Sequence, residues 1–218
     1  MKRTSITIAG IAALILSLAI IFLSLSDLPP HFDSGIHKEI GRVMAREALA
    51  LTKGTGSLIV IKRDTAAFPQ PASDVQFKAF KKEITRAKVA IAALQNIQLD
   101  PLKPVEVPPG DFLNIIRKAP PGTVIVSFMG PPMLSDEQKK QLKEIHPKIV
   151  AFCSGNLSER VNIAELFSQH LLDAAVVSKH SSTEGGKTPA TAAFNDLYVS
   201  INGSNLDVLK GTLAYAQQ

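Results

Sequence analysis

The sequence contains no tryptophan, two tyrosines and a single cysteine, Cys153, among 218 residues. A disulfide needs two cysteines, so the chain forms none internally, and cysteine usage gives no information on its compartment. Basic residues number 24 against 19 acidic ones, without a dense basic run. Because nucleic-acid binding normally requires clustered Lys and Arg together with stacking aromatic side chains, we expect no nucleic-acid partner.

Motifs for catalysis and cofactor binding are also missing. No Gly-x-Ser-x-Gly or Gly-x-Cys-x-Gly elbow occurs, and the prolines at 131 and 132 lack the N–H groups that a phosphate-binding loop uses. Gly54 and Gly56 precede a strand rather than follow it, which is the wrong side for a dinucleotide fingerprint. The five histidines lack the i, i+4 spacing of a helical zinc pair. The sequence therefore predicts no cofactor and no metal site.

An uncharged apolar run occupies residues 6–25. Its length matches the ~20 residues that a spanning helix needs, so the sequence predicts a transmembrane signal anchor at 1–26 and a linker at 27–34. A cleaved signal peptide is the alternative, with cleavage near Ser26, although such peptides usually have apolar cores of ~7–15 residues. Lys2 and Arg3 precede the run, which predicts a cytoplasmic N-terminus and a domain on the extracytoplasmic, periplasmic side of the cytoplasmic membrane.

Beyond the linker, β-branched apolar runs alternate with amphipathic segments. The run at 122–132 has no polar alternation, which is typical of a strand covered on both faces, and the runs at 58–62 and 148–153 share this pattern. Strands that alternate with helices favour parallel pairing. The sequence thus predicts one α/β domain over 35–218, a doubly wound, mainly parallel sheet of about five to six strands with helices on both faces.

Several shorter segments carry more specific predictions. Residues 90–99 fit either a helix or a strand, and the alternation near their end favours a strand. The others are a fifth strand at 174–177, an edge strand at 197–201, an N-cap at Ser73, a capping box from Ser135 to Gln138, one amphipathic helix at 161–171, a polar loop at 180–191 and a closing helix at 206–215.

Right-handed crossovers would place every loop from strand to helix along one edge of such a sheet, where ligands of open α/β sheets bind. Arg63 and Asp64 could hold a polar ligand there, or they could form a partly exposed ion pair that caps the loop. The predicted ligand-binding residues at this edge are Arg63, Asp64, Thr65, Met129, Gly130, Ser154, Gly155 and Asn156.

Two further alternatives concern the run that ends at Cys153. Residues 154–156 fit either a backbone nest for an anion or an ordinary turn. Cys153 is either a nucleophile with a lowered pKa or a buried structural cysteine. Because no histidine can be assigned as its base, we predict no catalytic residues, and the question of enzymatic activity stays open.

The order of elements resembles one half of a known receptor. The similarity spans roughly 36–178 and is carried by Ile40-Gly41 and Met44-Ala45 in the first helix, residues 57–64 and 77–84, and the run LFSQHLLDAAVV at 166–177. These features are similar to a single lobe of a type I periplasmic binding protein, the family of sugar receptors that shares its core with lactose-repressor-type ligand-binding domains. The resemblance implies a scaffold in which two lobes close over a ligand, and we expect the 218 residues to form one such lobe.

We therefore expect a membrane-anchored, extracytoplasmic module that binds a small polar molecule or a partner protein at the strand-end loops. One alternative is a membrane-anchored hydrolase or transferase that uses Asp64, Cys153 or Ser154. Another is a structural domain that needs a partner to complete the cleft.

Overall fold

The computed structural model describes residues 17, 34–53, 56–98, 106–142, 147–155, 157–179 and 193–209. The chain divides into two compact units, Met1–Asp33 and Ser34–Gln218. No helix within the described ranges has the length and apolar character required to cross a bilayer. Apart from Ser17, the predicted span at 6–25 lies outside these ranges, as do the predicted loop at 180–191 and most of the predicted closing helix. The anchor stays a prediction.

The second unit alternates helices and strands. The helices are α1 (Ser34–Thr52), α2 (Pro71–Arg86), α3 (Pro109–Lys118), α4 (Asp136–Lys140), α5 (Leu157–Arg160), α6 (Ile163–Ser168) and α7 (Phe194–Leu197). The strands are β1 (Leu58–Arg63), β2 (Ile91–Ile97), β3 (Val124–Ser127), β4 (Lys148–Cys153), β5 (Ala174–Ser178) and β6 (Tyr198–Asn202).

The six strands form one sheet in the order β2-β1-β3-β4-β5-β6. The first five strands are parallel, and β6 pairs antiparallel with β5 at the edge. This confirms the predicted mainly parallel sheet, including the strand assignment for residues 90–99.

Helices cover both faces of the sheet. Leu58 and Val60 belong to an apolar cluster with α1 and α2, whereas Ile59 and Ile61 belong to a second cluster with α3 and α6. Successive residues of a strand point to opposite faces, so a strand with apolar neighbours on both sides needs apolar residues throughout. This explains why the strand runs lack polar alternation.

Gly41 permits an unusually close approach of α1 and α2. A Cβ atom at this position would lie 2.1 Å from the backbone oxygen of Gln76 on α2. The same contact region contains a hydrogen bond of 3.0 Å between the Gln76 side chain and Nδ1 of His37. The helix pair is therefore packed through a position that only glycine can occupy without displacement of the backbone.

Local helix boundaries differ from expectation in two places. The predicted N-cap at Ser73 is wrong, because α2 begins two residues earlier with Pro71, a residue suited to the first helical turn. The predicted helix over 161–171 is shorter than expected, because α6 begins after Asn162, which caps it by accepting a hydrogen bond from the Glu165 N–H, and ends at Ser168. The capping box of α4 is confirmed by reciprocal hydrogen bonds between Ser135 and Gln138.

Candidate ligand-binding site at the carboxyl edge of the sheet

The strand order reverses between β1 and β3. The chain moves from β1 outward to β2, then returns past β1 to β3 and continues in the other direction through β4 and β5. In open α/β sheets, ligands bind outside the carboxyl ends of the strands at this kind of reversal. The candidate site is therefore the region around the carboxyl ends of β1 and β3. A hydrogen bond of 2.9 Å, donated by the Phe128 N–H to the Ile61 oxygen, connects these two strand ends.

The end of β1 presents polar, half-exposed side chains. Arg63 is the last residue of the strand, and the Asp64 N–H donates to the Ile97 oxygen of β2 at 2.9 Å. Asp64 Oδ1 accepts a hydrogen bond of 3.0 Å from the Ala66 N–H, which caps the turn. Among the ion pairs between described residues, none joins Arg63 to Asp64. The loop is thus capped through the backbone rather than by the ion pair considered as an alternative.

Thr65 ties this loop to the following helix. Its hydroxyl donates a hydrogen bond of 2.8 Å to Asp74 Oδ1 in the first turn of α2. A carboxylate at this end of a helix is favoured by the helix dipole. The loop that carries Asp64 and Thr65 is consequently held at both ends.

Lys62 adds a second cation that the sequence analysis did not select. Its ammonium lies 5.5 Å from the centre of the Phe77 ring and donates to the Arg63 oxygen at 3.2 Å. Phe77 and Phe80 in turn meet the Phe128 ring edge to face, with centroids 6.3 and 5.4 Å away. A basic residue within an otherwise apolar strand run was the available signal for Lys62. The aromatic contacts orient its stem, and a cation–π contact of this kind contributes about 0.5–1 kcal/mol at exposed sites.

The end of β3 is buried. Met129 is 3% exposed, and its N–H donates to the buried Ser127 hydroxyl at 3.2 Å. Gly130 is also buried and has a positive φ of 93°, and a Cβ atom there would lie 2.8 Å from Cδ2 of Leu157 on α5. These two predicted site residues therefore form the base of the edge beneath α5, with no side chain directed at solvent.

The end of β4 is exposed at Ser154 and Gly155. Gly155 has a φ of 63°, and its oxygen accepts a hydrogen bond of 3.0 Å from the Ser178 hydroxyl at the end of β5. This contact links the ends of two neighbouring strands and supports the turn alternative. The third residue of this predicted group, Asn156, lies outside the described residues.

Cys153 lies in the core immediately before this turn. It is fully buried, and desolvation raises the pKa of its thiol to about 12. A nucleophilic cysteine needs a populated thiolate, which this environment opposes. The structure therefore favours the structural alternative for Cys153 over the nucleophile.

A basic groove lies elsewhere, between α1 and α2. Lys38, Arg42, Lys78 and Lys82 line it together with Glu83, and its volume is about 260 Å³. These residues are far apart along the sequence and meet only because the helices pack closely at Gly41. Within the described ranges, no group of three or more His, Cys, Asp or Glu residues is arranged to hold a metal ion.

No protein-family profile matches the chain, and a search of characterised protein sequences found no similar protein. Solved structures do match. They include a carbohydrate transporter solute-binding protein from Agrobacterium radiobacter in complex with D-arabinose, with a TM-score of 0.54 and 11% identity. A sugar-binding protein of a sugar ABC transporter from Bacillus halodurans has a TM-score of 0.52 and 12% identity. The fructose-binding periplasmic domain of a hybrid two-component system has a TM-score of 0.56 and 13% identity.

These matches cover 79–82% of this chain and 60–64% of the other chains, so the protein spans less than two thirds of their length. At this level of identity the comparison establishes the fold. The described domain has the α/β fold of these sugar-binding proteins, as the resemblance to one lobe of a type I periplasmic binding protein predicts.

Proposed function

We propose that the protein is a ligand-binding module that recognises a small polar molecule at the carboxyl ends of β1 and β3. The observation that carries the proposal is the polar, half-exposed end of β1 at the reversal of strand order. The preceding residues of β1, 58–61, are buried and apolar, and ligands of open α/β sheets bind at that position.

The side chains there suit a neutral or anionic polar ligand. Arg63 supplies a planar fork of donors, and Lys62 supplies a compact cation. Asp64 uses Oδ1 to cap the turn, and its Oδ2 is the acceptor that we assign to a ligand hydroxyl. Because the similar structures include a solute-binding protein in complex with D-arabinose and a fructose-binding domain, sugars are the first ligand class to test.

Thermal unfolding of the detergent-solubilised full chain tests this assignment. A ligand that binds the folded state raises the apparent melting temperature, so we expect D-fructose, D-arabinose or a related sugar to raise it at millimolar concentration. The shift should disappear in Arg63→Ala and Asp64→Ala. It should persist in Arg117→Ala, which removes an exposed arginine from α3. A shift that survives both site substitutions would place the ligand elsewhere and refute the proposal.

We further propose that residues 6–25 hold this module at the cytoplasmic membrane, with the domain outside. The uncharged apolar run and the preceding Lys2 and Arg3 support this arrangement. Alkaline carbonate should leave the full chain in the membrane pellet, and protease added to intact spheroplasts should digest the domain. A chain that carbonate releases, or that protease cannot reach, would contradict the anchor or its orientation.

A second candidate function is a domain whose cleft a partner completes. Phe68 favours it, because this large apolar side chain is 54% exposed in the loop that follows Thr65. We expect a photoreactive phenylalanine analogue at position 68 to crosslink to one discrete partner in cells, and the same analogue at exposed Lys88 to give no such product. Equal labelling at both positions would argue against a partner at this edge.

A further inference from the structure

Strand β2 forms one edge of the sheet. Within the described part of the chain it pairs only with β1. The Ile97 oxygen accepts from the Asp64 N–H, so residues 93, 95 and 97 direct their backbone groups toward β1. Because alternate residues of a strand direct these groups to opposite sides, residues 92, 94 and 96 direct theirs outward. The outer side of β2 is thus a row of hydrogen-bonding groups with which no other described strand pairs.

This edge lacks two of the features that usually prevent strand addition, charged residues and prolines. Proteins protect exposed edges with charged side chains, prolines or bulges that twist the edge away. The sequence of β2, IAALQNI, has no charge and no proline. The irregularity in its pairing lies at the start, near Ile91, and leaves the later residues in regular register. The exposed part of β2 is therefore competent to accept a further strand.

The faces of β2 are also incompletely covered. Leu94 is 42% exposed on the side of the sheet that carries α2. On the other side, a groove of about 550 Å³ separates β2 from α3 and is lined by Ala93, Gln95 and Ile97 together with Asp111 and Lys118. A strand added at this edge would cover Leu94 and close one side of the groove.

The edge is complementary to itself. In an antiparallel pair centred on Leu94, Ala93 of one copy faces Gln95 of the other, and no charged residue lies in either strand. The two-fold axis also reverses α3. Asp111 lies in the first turn of α3 and Lys118 in the last turn. The acidic end of α3 in one copy therefore lies on the same side as the basic end of α3 in the second copy. Both the strand and its flanking charges therefore match a second copy of the same chain.

We propose that two copies of this protein associate through antiparallel pairing of their β2 strands, which joins two six-stranded sheets into one. A two-fold dimer is the commonest symmetric assembly of soluble proteins. The axis reverses the strand direction, so the carboxyl ends of the two sheets lie on opposite margins of the joined sheet. The inference is independent of the proposed ligand.

Cysteine crosslinking tests the geometry directly. Directly opposed residues in a hydrogen-bonded antiparallel pair have Cα atoms about 5.5 Å apart, within the range of about 4.4–6.8 Å that a disulfide spans. Leu94→Cys in the full chain should give a disulfide-linked dimer under mild oxidation. The native Cys153 is buried and should not contribute. Lys88→Cys, on the exposed turn before β2, is the matched control and should crosslink at least tenfold less.

Charge at the centre of the pair tests the association itself. Leu94→Lys places two like charges opposite each other and should convert the dimer to a monomer in analytical ultracentrifugation. Val208→Lys is the control, because Val208 has a similar exposure of 43% and lies away from β2. Two results would overturn the proposal. One is a wild-type chain that remains monomeric at a concentration of about 100 µM. The other is equal crosslinking of Leu94→Cys and Lys88→Cys.

Discussion

The Thr65 hydroxyl donates a hydrogen bond of 2.8 Å to Asp74 Oδ1 and so fastens the loop after β1 to the first turn of α2. The same loop carries Asp64, whose carboxylate caps the turn through the Ala66 N–H. Ligand-binding side chains act best when their backbone is already fixed, because less conformational entropy is then lost on binding. The Thr65 contact therefore connects the fold to the proposed site.

Replacement of this hydroxyl should weaken both stability and binding. Thr65→Val keeps the shape of the side chain and removes the hydrogen bond, so we expect the free energy of unfolding to fall by about 0.5–1 kcal/mol in urea titrations. Thr85→Val, at an exposed position of α2, should change the free energy of unfolding by less than about 0.5 kcal/mol. Equal effects in the two variants would mean that the Thr65 contact has no special role in the loop.

Two helical glycines should respond to alanine with opposite signs. In Gly41→Ala the new Cβ would lie 2.1 Å from the Gln76 oxygen, so we expect the free energy of unfolding to fall by about 1–3 kcal/mol. In Gly110→Ala, within the first turn of α3, no heavy atom lies within 4 Å of the added Cβ, and alanine should stabilise the helix by about 0.5–1 kcal/mol. Thermal unfolding measures both changes.

The contrast between these variants isolates helix packing from helix propensity. If Gly41→Ala were as stable as wild type, then α1 and α2 would not be in the close contact described above. The basic groove lined by Lys38 and Lys78 would then lose its structural basis as well.

Cys153 should be unreactive in the folded protein. Its thiol is buried and has a pKa of about 12, so a disulfide reagent at pH 8 should modify it only as fast as the chain unfolds. Addition of urea beyond the unfolding transition should make modification rapid. Rapid labelling under native conditions would contradict the burial and would reopen the nucleophile alternative.

The same burial predicts how stability changes at alkaline pH. Well below pH 9 the thiol is protonated in both folded and unfolded states, so it contributes no pH dependence there. Above that value the unfolded chain releases the proton and the folded chain keeps it, so stability falls as pH rises toward 12. Desolvation also raises the pKa of Tyr198, which acts in the same direction. Cys153→Ala should reduce this slope in urea titrations between pH 8 and 11, and an unchanged slope would contradict the assignment.

The central strands of the sheet could be predicted because burial on both faces requires a continuous run of apolar residues. A strand covered on both faces must be apolar wherever it is buried, and residues 58–61 and 149–153 meet this condition. The direction of β6 could not be predicted in the same way, since its alternating residues fit an edge strand in either orientation. The start of α6 was misplaced because the apolar residue Val161 suggests that the amphipathic segment begins there, whereas the Asn162 cap that sets the boundary is a local hydrogen bond.

The candidate site was predictable only in outline. The order of elements places the strand-end loops at one edge, which identified Arg63 and Asp64. The burial of Gly130 depends on contact with Leu157 of α5, a helix that sequence periodicity did not reveal. The position of Lys62 over Phe77 likewise depends on the packing of α2 against the sheet. Such tertiary contacts determine which of the strand-end residues face solvent.

Hydrogen–deuterium exchange of the full chain tests the central claim most directly. The exchange is compared with and without one sugar, the one among D-fructose, D-arabinose and their relatives that gives the largest thermal shift. We predict slower exchange in peptides that cover 62–68 and 128–130, and unchanged exchange in β2 and β6. Protection confined to β6 or to the α1–α2 groove would contradict a binding site at the carboxyl ends of β1 and β3.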